Sequence, residues 1–187
     1  IDIGMCACVV SIVSYDDKDL KIMSCCWELN LGGYTIDKII LNYIKEKIFK
    51  DNKISILNNK KKAIKTLFEC EKLKKKLSIS KNNIVTFTLE NISQDIDYTS
   101  TISNKEFTEL MKPFLERLKK PIIQCIQESG IESVDLHSVE ILGGTTRIPI
   151  IRQEISNILK LNQELSTTLN CEETIATGTA LYSAIQS

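Results

Sequence analysis

The sequence predicts a mixed α/β protein interrupted by an inserted α+β segment. Its C-terminal part alternates strand and helix signals: "HSVEIL", the turn "GGTTR", the helix "IPIIRQEISNILK", an extended "STTLN" and a final helix around "EETIATGTALYSAIQ". That alternation marks an α/β unit. The opening "IDIGMCACVV" reads as a buried apolar strand of the same unit. Between these ends, residues 32–112 change to helical spacing and then to β-branched alternation, the pattern of a helical and β-meander insertion. The core is therefore expected over 1–31 and 113–187, and the insertion over 32–112.

The elements follow in order. "CVVSIVSYDDKDLKIMSC" reads as a hairpin, two β-rich runs flanking the polar turn "YDDKD". Gly32 and Gly33 break the strand pattern. Thr35 is then placed to cap a helix in which Ile36, Ile39, Ile40, Tyr43 and Ile44 share one face. A second helix is expected from about Asn59 to Ser78. Ala63, Leu67, Cys70, Leu73 and Leu77 form its apolar stripe, and lysines fill the opposite face. "NIVTFTLENISQDIDYTSTIS" predicts two or three antiparallel strands. Ser103 and Glu106 form an S-x-x-E capping box ahead of a long helical pattern. Pro113 and Pro121 fall inside that pattern, so a kink or a division into two helices is expected, with Gly130 as terminator.

Composition excludes several classes. With 43% hydrophobic and 26% charged residues, the 187-residue chain has the balance of a soluble globular protein. Its formal net charge of zero implies neither nucleic acid nor an acidic membrane surface as partner. No apolar run approaches the roughly 20 residues that span a bilayer. The seven cysteines are odd in number and form no C-x-x-C pair, which argues against a zinc ribbon or a redox motif. Reduced, mostly buried thiols in a cytosolic protein are expected. His137 is the sole histidine, and a surface or capping role is its default.

Four segments could carry chemistry. In "VEILGGTTRIPIIRQ" a strand ends at Leu142, and Gly143 and Gly144 let backbone pass close to a ligand. Thr145 or Thr146 can cap the next helix, and Pro149 suits its first turn. Such a helix start favours an anionic or polar ligand, and Arg147 adds a planar guanidinium that can stack on a base. A tight strand–turn–helix without a ligand fits the same residues equally well. In "CEKLKKKLS", Glu71, Lys74, Lys75 and Ser78 share one helix face, an acceptor, two cations and a hydroxyl suited to a ribose and an adenine edge. Read alone, the segment favours an ordinary charged, solvated face over a ligand contact. "NLGGYTID" is a Gly-Gly turn feeding a helix. In "LNCEETIATGTA", Gly178 implies close helix packing, and Glu172 sits where a helix dipole favours a carboxylate, for which a purely structural role is the default reading.

These segments, in this order, resemble the second lobe of the nucleotide-binding domain of the seventy-kilodalton heat-shock chaperones. The quoted residues are D-I-G, L-G-G, C-E-K-x-K-K-x-L-S, and I-L-G-G-T-T-R-I-P with L-N-x-E-E-x-I-A-x-G-x-A downstream. The resemblance covers essentially the whole chain. It implies the actin-like, ribonuclease-H-like ATPase fold: a mixed sheet with helices plus an inserted α+β subdomain. It also implies that a first lobe would precede residue 1 and a substrate-binding domain would follow Ser187.

In the ATP-hydrolysing members the first strand reads like D-L-G-G-G-T-F-D-V-S. Here Asp2 and Gly4 remain, Met5 and Cys6 take glycine positions, Ala7 takes the Thr position and Val9 the Asp position. Side chains at 5 and 6 hinder backbone approach to phosphate, and Ala7 and Val9 can neither orient a water nor support Mg²⁺ through its waters. That departure resembles the hundred-and-ten-kilodalton branch, whose members serve as nucleotide exchange factors for seventy-kilodalton relatives and as holders of unfolded protein. The resemblance implies ATP or ADP as ligand, with Mg²⁺ held mainly through the first lobe, and no catalytic or metal residue in this chain. The implied adenosine contacts are Glu71, Lys74, Lys75 and Ser78 from the insertion, and Gly143, Gly144, Thr145, Arg147 and Ile148 from the core. Gly33 would lie near the phosphates, Gly4 would offer a backbone contact, and Glu172 stands where the family usually has Asp. The implied partners are a seventy-kilodalton chaperone and unfolded polypeptide, in the cytoplasm, with no nucleic acid and no membrane. The lobe alone is expected to be inactive and its parent at most a weak ATPase. A lobe of an active chaperone ATPase and a ligand-free actin-like module are the alternatives.

Overall fold

A computed structural model describes residues 1–16, 20–55, 60–80, 83–93, 96–161, 164–171 and 173–186. The chain forms two compact units: Ile1–Gly33 with Glu116–Ser187, and Tyr34–Leu115.

The first unit is built on a sheet. Strands β1 (Asp2–Ile3), β2 (Ala7–Tyr15) and β3 (Leu20–Leu29) pair antiparallel in that order. The expected hairpin is therefore β2–β3, although residues 17–19 of its turn lie outside the described residues. On the other side of β1, Asp2 bridges Leu142 in parallel, and Glu140 bridges Ser166 in parallel. The "HSVEIL" and "STTLN" segments thus extend the sheet and make it mixed. Period-two alternation buries Cys8, Val10 and Ile12 of β2 beside Ser24 and Cys26 of β3. The Ser24 hydroxyl donates to the Cys125 carbonyl at 2.8 Å, and the Cys125 thiol donates to the Val10 carbonyl at 3.3 Å. Burial pushes the Cys8 and Cys26 thiols up to about 12, which keeps both inert. Cys70 and Cys125 are also buried, Cys171 is half-buried, and Cys6 and Cys25 are exposed.

The second unit packs helices beside a hairpin. Helix α1 (Gly33–Asn52) buries Ile36, Ile40, Ile44 and Ile48 completely, one residue per turn. Helix α2 (Lys60–Ile79) buries Thr66, Cys70, Leu73 and Leu77. Thr66 was not expected there; its hydroxyl donates to the Lys62 carbonyl at 2.9 Å and so needs no water. Strands β4 (Ile84–Ser93) and β5 (Ile96–Ser103) form a single antiparallel pair. Val85, Phe87 and Leu89 on β4 and Tyr98 and Ile102 on β5 point inward. The capping box forms as its spacing requires: the Glu106 N–H donates to the Ser103 hydroxyl at 3.1 Å, and the Ser103 N–H donates to the Glu106 carboxylate at 2.8 Å.

Four expectations need correction. Helix α1 begins at Gly33, so Thr35 lies inside its first turn and is not its cap. Helix α3 (Asn104–Ser129) runs unbroken for 26 residues through Pro113 and Pro121. An interior proline costs about 3 kcal/mol. The continuous stripe Phe107, Met111, Phe114, Leu118, Ile122 and Cys125 is buried, at about 1.5–3 kcal/mol for each large side chain, and outweighs that cost. Neither Thr145 nor Thr146 caps α4 (Pro149–Leu159). A short 3₁₀ turn over Gly144–Arg147 intervenes, and the cap residue is Ile148, with Pro149 in the first turn as expected. Gly178 lies in α5 (Thr174–Gln186), but a Cβ there would meet nothing within 4 Å, because residues 175–184 of that helix are exposed.

Candidate functional site

Three glycine-bearing segments of the first unit converge on the turn between β1 and β2. The Gly4 N–H donates to the Ala7 carbonyl at 3.1 Å and closes that turn. The Gly4 carbonyl accepts two bonds, from the Gly33 N–H at 3.0 Å and from the Thr145 hydroxyl at 2.8 Å. One oxygen atom thus ties the first strand to the start of α1 and to the turn before α4. Alongside, the Ile3 N–H donates to the Leu142 carbonyl at 3.0 Å, so strand pairing sets the register of the two loops.

Glycine is required at two of these positions. Gly143 has φ +80°, and a Cβ there would collide with the Ile3 carbonyl and the Asp2 carboxylate. A Cβ on Gly32 would lie 2.6 Å from the Gly4 carbonyl oxygen and from Met5 backbone atoms. Gly4 and Gly144 differ: a Cβ at either would meet nothing within 4 Å, so their open sides leave room for a ligand to approach backbone. The turn itself is held from within. The Thr146 hydroxyl donates to the Gly143 carbonyl at 2.8 Å, and Arg152 Nε donates to the Thr146 carbonyl at 2.7 Å. Arg147 is exposed at the end of the turn. Ile148 is buried, so its side chain belongs to the core and only its backbone can face a ligand. At the β1–β2 turn, Met5 is 63% exposed and Cys6 is exposed, while Ala7 and Val9 are half-buried.

In the second unit, Glu71, Lys74, Lys75 and Ser78 do share one face of α2. Each is engaged within the unit. Lys75 pairs with Glu71 at 2.7 Å, one turn apart, and holds that carboxyl below its usual range. The Ser78 hydroxyl donates to the Lys74 carbonyl at 2.8 Å. Lys74 Nζ lies 2.8 Å from Asp37 Oδ1 and 2.9 Å from Oδ2, with the Asp37 side chain 4% and the Lys74 side chain 13% exposed. Burial pushes the Asp37 carboxyl up, and the nearby Lys74 opposes that shift. Asp37 escaped the sequence reading. The available signal was an acid set among Ile36, Ile40 and Ile44 on the apolar face of a helix, where an unpaired carboxylate would be costly. Glu172 lies outside the described residues.

The first unit therefore brings Gly4, Gly33, Gly143 and Thr145 together, with Gly144, Arg147 and Ile148 in the same short turn. The second brings together the four α2 residues and adds Asp37. The whole chain, residues 1–187, matches the family model described as "Hsp70 protein".

The chain belongs to the Hsp70 family.

Its mixed α/β architecture, with helices and antiparallel strands, accords with an Hsp70 actin-like ATPase lobe. It is 37% identical over its full length to a heat shock protein homolog of Candida glabrata, covering 26% of that protein. It is 36% identical to a heat shock protein homolog of Saccharomyces cerevisiae, again covering 26%. It is 32% identical to human heat shock 70 kDa protein 4, covering 22%. These relatives are of the hundred-and-ten-kilodalton type that the first strand resembles. The chain spans about a quarter of the length of the curated Hsp70-family relatives it matches.

Proposed function

We propose that this Hsp70-family lobe binds an adenine nucleotide without hydrolysing it, within a larger cytoplasmic heat-shock chaperone. That chaperone acts as an exchange factor for a seventy-kilodalton partner and as a holder of unfolded polypeptide. The observation that carries the reading is the Gly4 turn. Its backbone framework is intact, joined to Gly33 and Thr145, while Met5 and Cys6 extend into solvent where the hydrolysing members have glycine. Ala7 and Val9 follow without an oxygen that could order water or a hydrated metal.

On the first unit the reading assigns backbone contacts to Gly4, Gly33, Gly143, Gly144 and Ile148, an anchoring hydroxyl to Thr145, and base stacking to Arg147. On the second unit it assigns ribose and adenine-edge contacts to Glu71, Lys74, Lys75 and Ser78. Glu172 is assigned by position in the sequence. The open space at Gly4 and Gly144 fits close approach of a ligand. The Gly33 N–H is already bonded to the Gly4 carbonyl, so Gly33 serves the site by holding the Gly4 turn in place.

Phosphate release from ATP tests the reading. The account expects release at the level of buffer blanks. Steady turnover by the purified protein, abolished by substitution of the remaining polar residues, would return the chain to the active ATPases. A second reading, a ligand-free actin-like module, is favoured by the internal pairing of Lys74 and Lys75. It expects no thermal shift with ATP or ADP.

A further inference from the structure

Asp37 lies on α1 next to the fully buried Ile36, and it is buried itself. Its carboxylate bonds one group among the described residues. Lys74 Nζ donates to Oδ2 at 2.9 Å and lies 2.8 Å from Oδ1, which accepts no hydrogen bond. Stability alone does not call for such a pair. Packed apolar side chains in place of a buried ion pair are often as stable or more so, and Ile36, Ile40 and Ile44 show that this helix face already buries them. What the pair achieves is to hold one cation in one place. Lys74 is held at its carbonyl by the Ser78 hydroxyl, at 2.8 Å, and at its ammonium by Asp37. Lys75 differs. Its side chain is 71% exposed and pairs with Glu71 along its own helix, a weak contact.

We propose that Asp37 is a positioning residue for the nucleotide: it fixes the Lys74 ammonium where a ribose hydroxyl meets it, and so makes the site select a ribonucleotide over its deoxy analogue. The inference rests on the adenine-nucleotide reading above. Charge supports a hydroxyl as the group met. Asp37 and Glu71 offset Lys74 and Lys75, so these four groups sum to zero and hold no net attraction for phosphate. A hydroxyl both accepts and donates, so it can take a hydrogen bond from an ammonium and give one to a carboxylate. A lysine already ordered before the ligand arrives loses less side-chain freedom on binding than an exposed one.

The test is calorimetric titration of the purified protein with ADP and with 2′,3′-dideoxyadenosine diphosphate, with melting curves alongside. Wild type should prefer ADP about tenfold, the worth of one charge-assisted hydrogen bond. Asp37→Asn keeps the side chain's size but releases the ammonium toward solvent. It should abolish the preference and leave affinity for the dideoxy ligand unchanged. Asp37→Leu with Lys74→Met, which replaces the pair by apolar side chains, should melt near wild type and still lack the preference. A structural role alone would restore the preference together with the melting curve. Equal binding of the two ligands by wild type, a preference kept by Asp37→Asn, a loss that falls on both ligands alike, or a preference regained in the double variant would each overturn the proposal. Binding of neither ligand by wild type would instead fail the nucleotide reading, and the inference with it.

Discussion

The Thr145 hydroxyl donates to the Gly4 carbonyl at 2.8 Å, across 141 residues of sequence. This bond fixes the turn before α4 to the turn after β1, and Thr145 is only 6% exposed. Its loss should be measurable in stability. Thr145→Val removes one buried neutral hydrogen bond, about 1 kcal/mol. In a chain of this size that lowers the melting temperature by about 2–4 °C. Thr145→Ser keeps the hydroxyl and should melt within a degree or so of wild type by circular dichroism.

The buried Asp37–Lys74 pair should behave asymmetrically. Lys74→Met strands a buried carboxylate and should cost about 3–5 kcal/mol, whereas Asp37→Leu with Lys74→Met should recover most of that loss. The pH dependence follows from the raised Asp37 carboxyl. An acid pushed up in the folded state leaves stability intact below its ordinary value of 3.8 and removes it as pH rises through the folded one. Without Lys74 the push is larger, so the Lys74→Met deficit should grow from acidic to neutral pH. Urea unfolding across that range reads it; a deficit independent of pH would contradict the pairing.

The capping box makes the opposite prediction. The Ser103 N–H, the Ser103 hydroxyl and Tyr43 hold the Glu106 carboxyl below its usual range. The stabilisation is therefore present above the ordinary value of 4.5 and is lost as pH falls through the folded one. Ser103→Ala should cost about 1 kcal/mol at neutral pH. Glu106→Gln, which keeps the box but not the charge, should cost less. Denaturant midpoints of the two variants check the order.

Much of this fold was legible because it is local. The β2–β3 hairpin, the Ile36–Ile40–Ile44 face and the Ser103–Glu106 box all depend on spacing along the chain. The misses depend on distance. Pro113 and Pro121 do not break α3 because tertiary burial of Phe114, Leu118 and Ile122 overrides a local penalty. Thr145 and Thr146 looked like helix caps, but their hydroxyls go to Gly4 and Gly143. No periodicity reveals either bond. The glycine motif was legible as a close approach, yet what comes close, the Ile3 carbonyl at Gly143 and the Met5 backbone at Gly32, is visible only in the fold. Asp37 was hidden because its meaning rests on Lys74, 37 residues away.

The central claim is that the glycine framework still serves an adenine nucleotide although the phosphate loop has lost its chemistry. Arg147 lies on the turn assigned to that nucleotide, and Lys62 lies on α2, where its ammonium donates to the Ile92 carbonyl at 3.2 Å. Calorimetric titration of the protein with ADP, beside Arg147→Ala and Lys62→Ala, separates them. The account predicts binding that Arg147→Ala weakens about tenfold, the cost of one stacked guanidinium, and that Lys62→Ala leaves near wild type. Equal affinities for the two variants, or no heat of binding in a protein that carries both lobes, would contradict it.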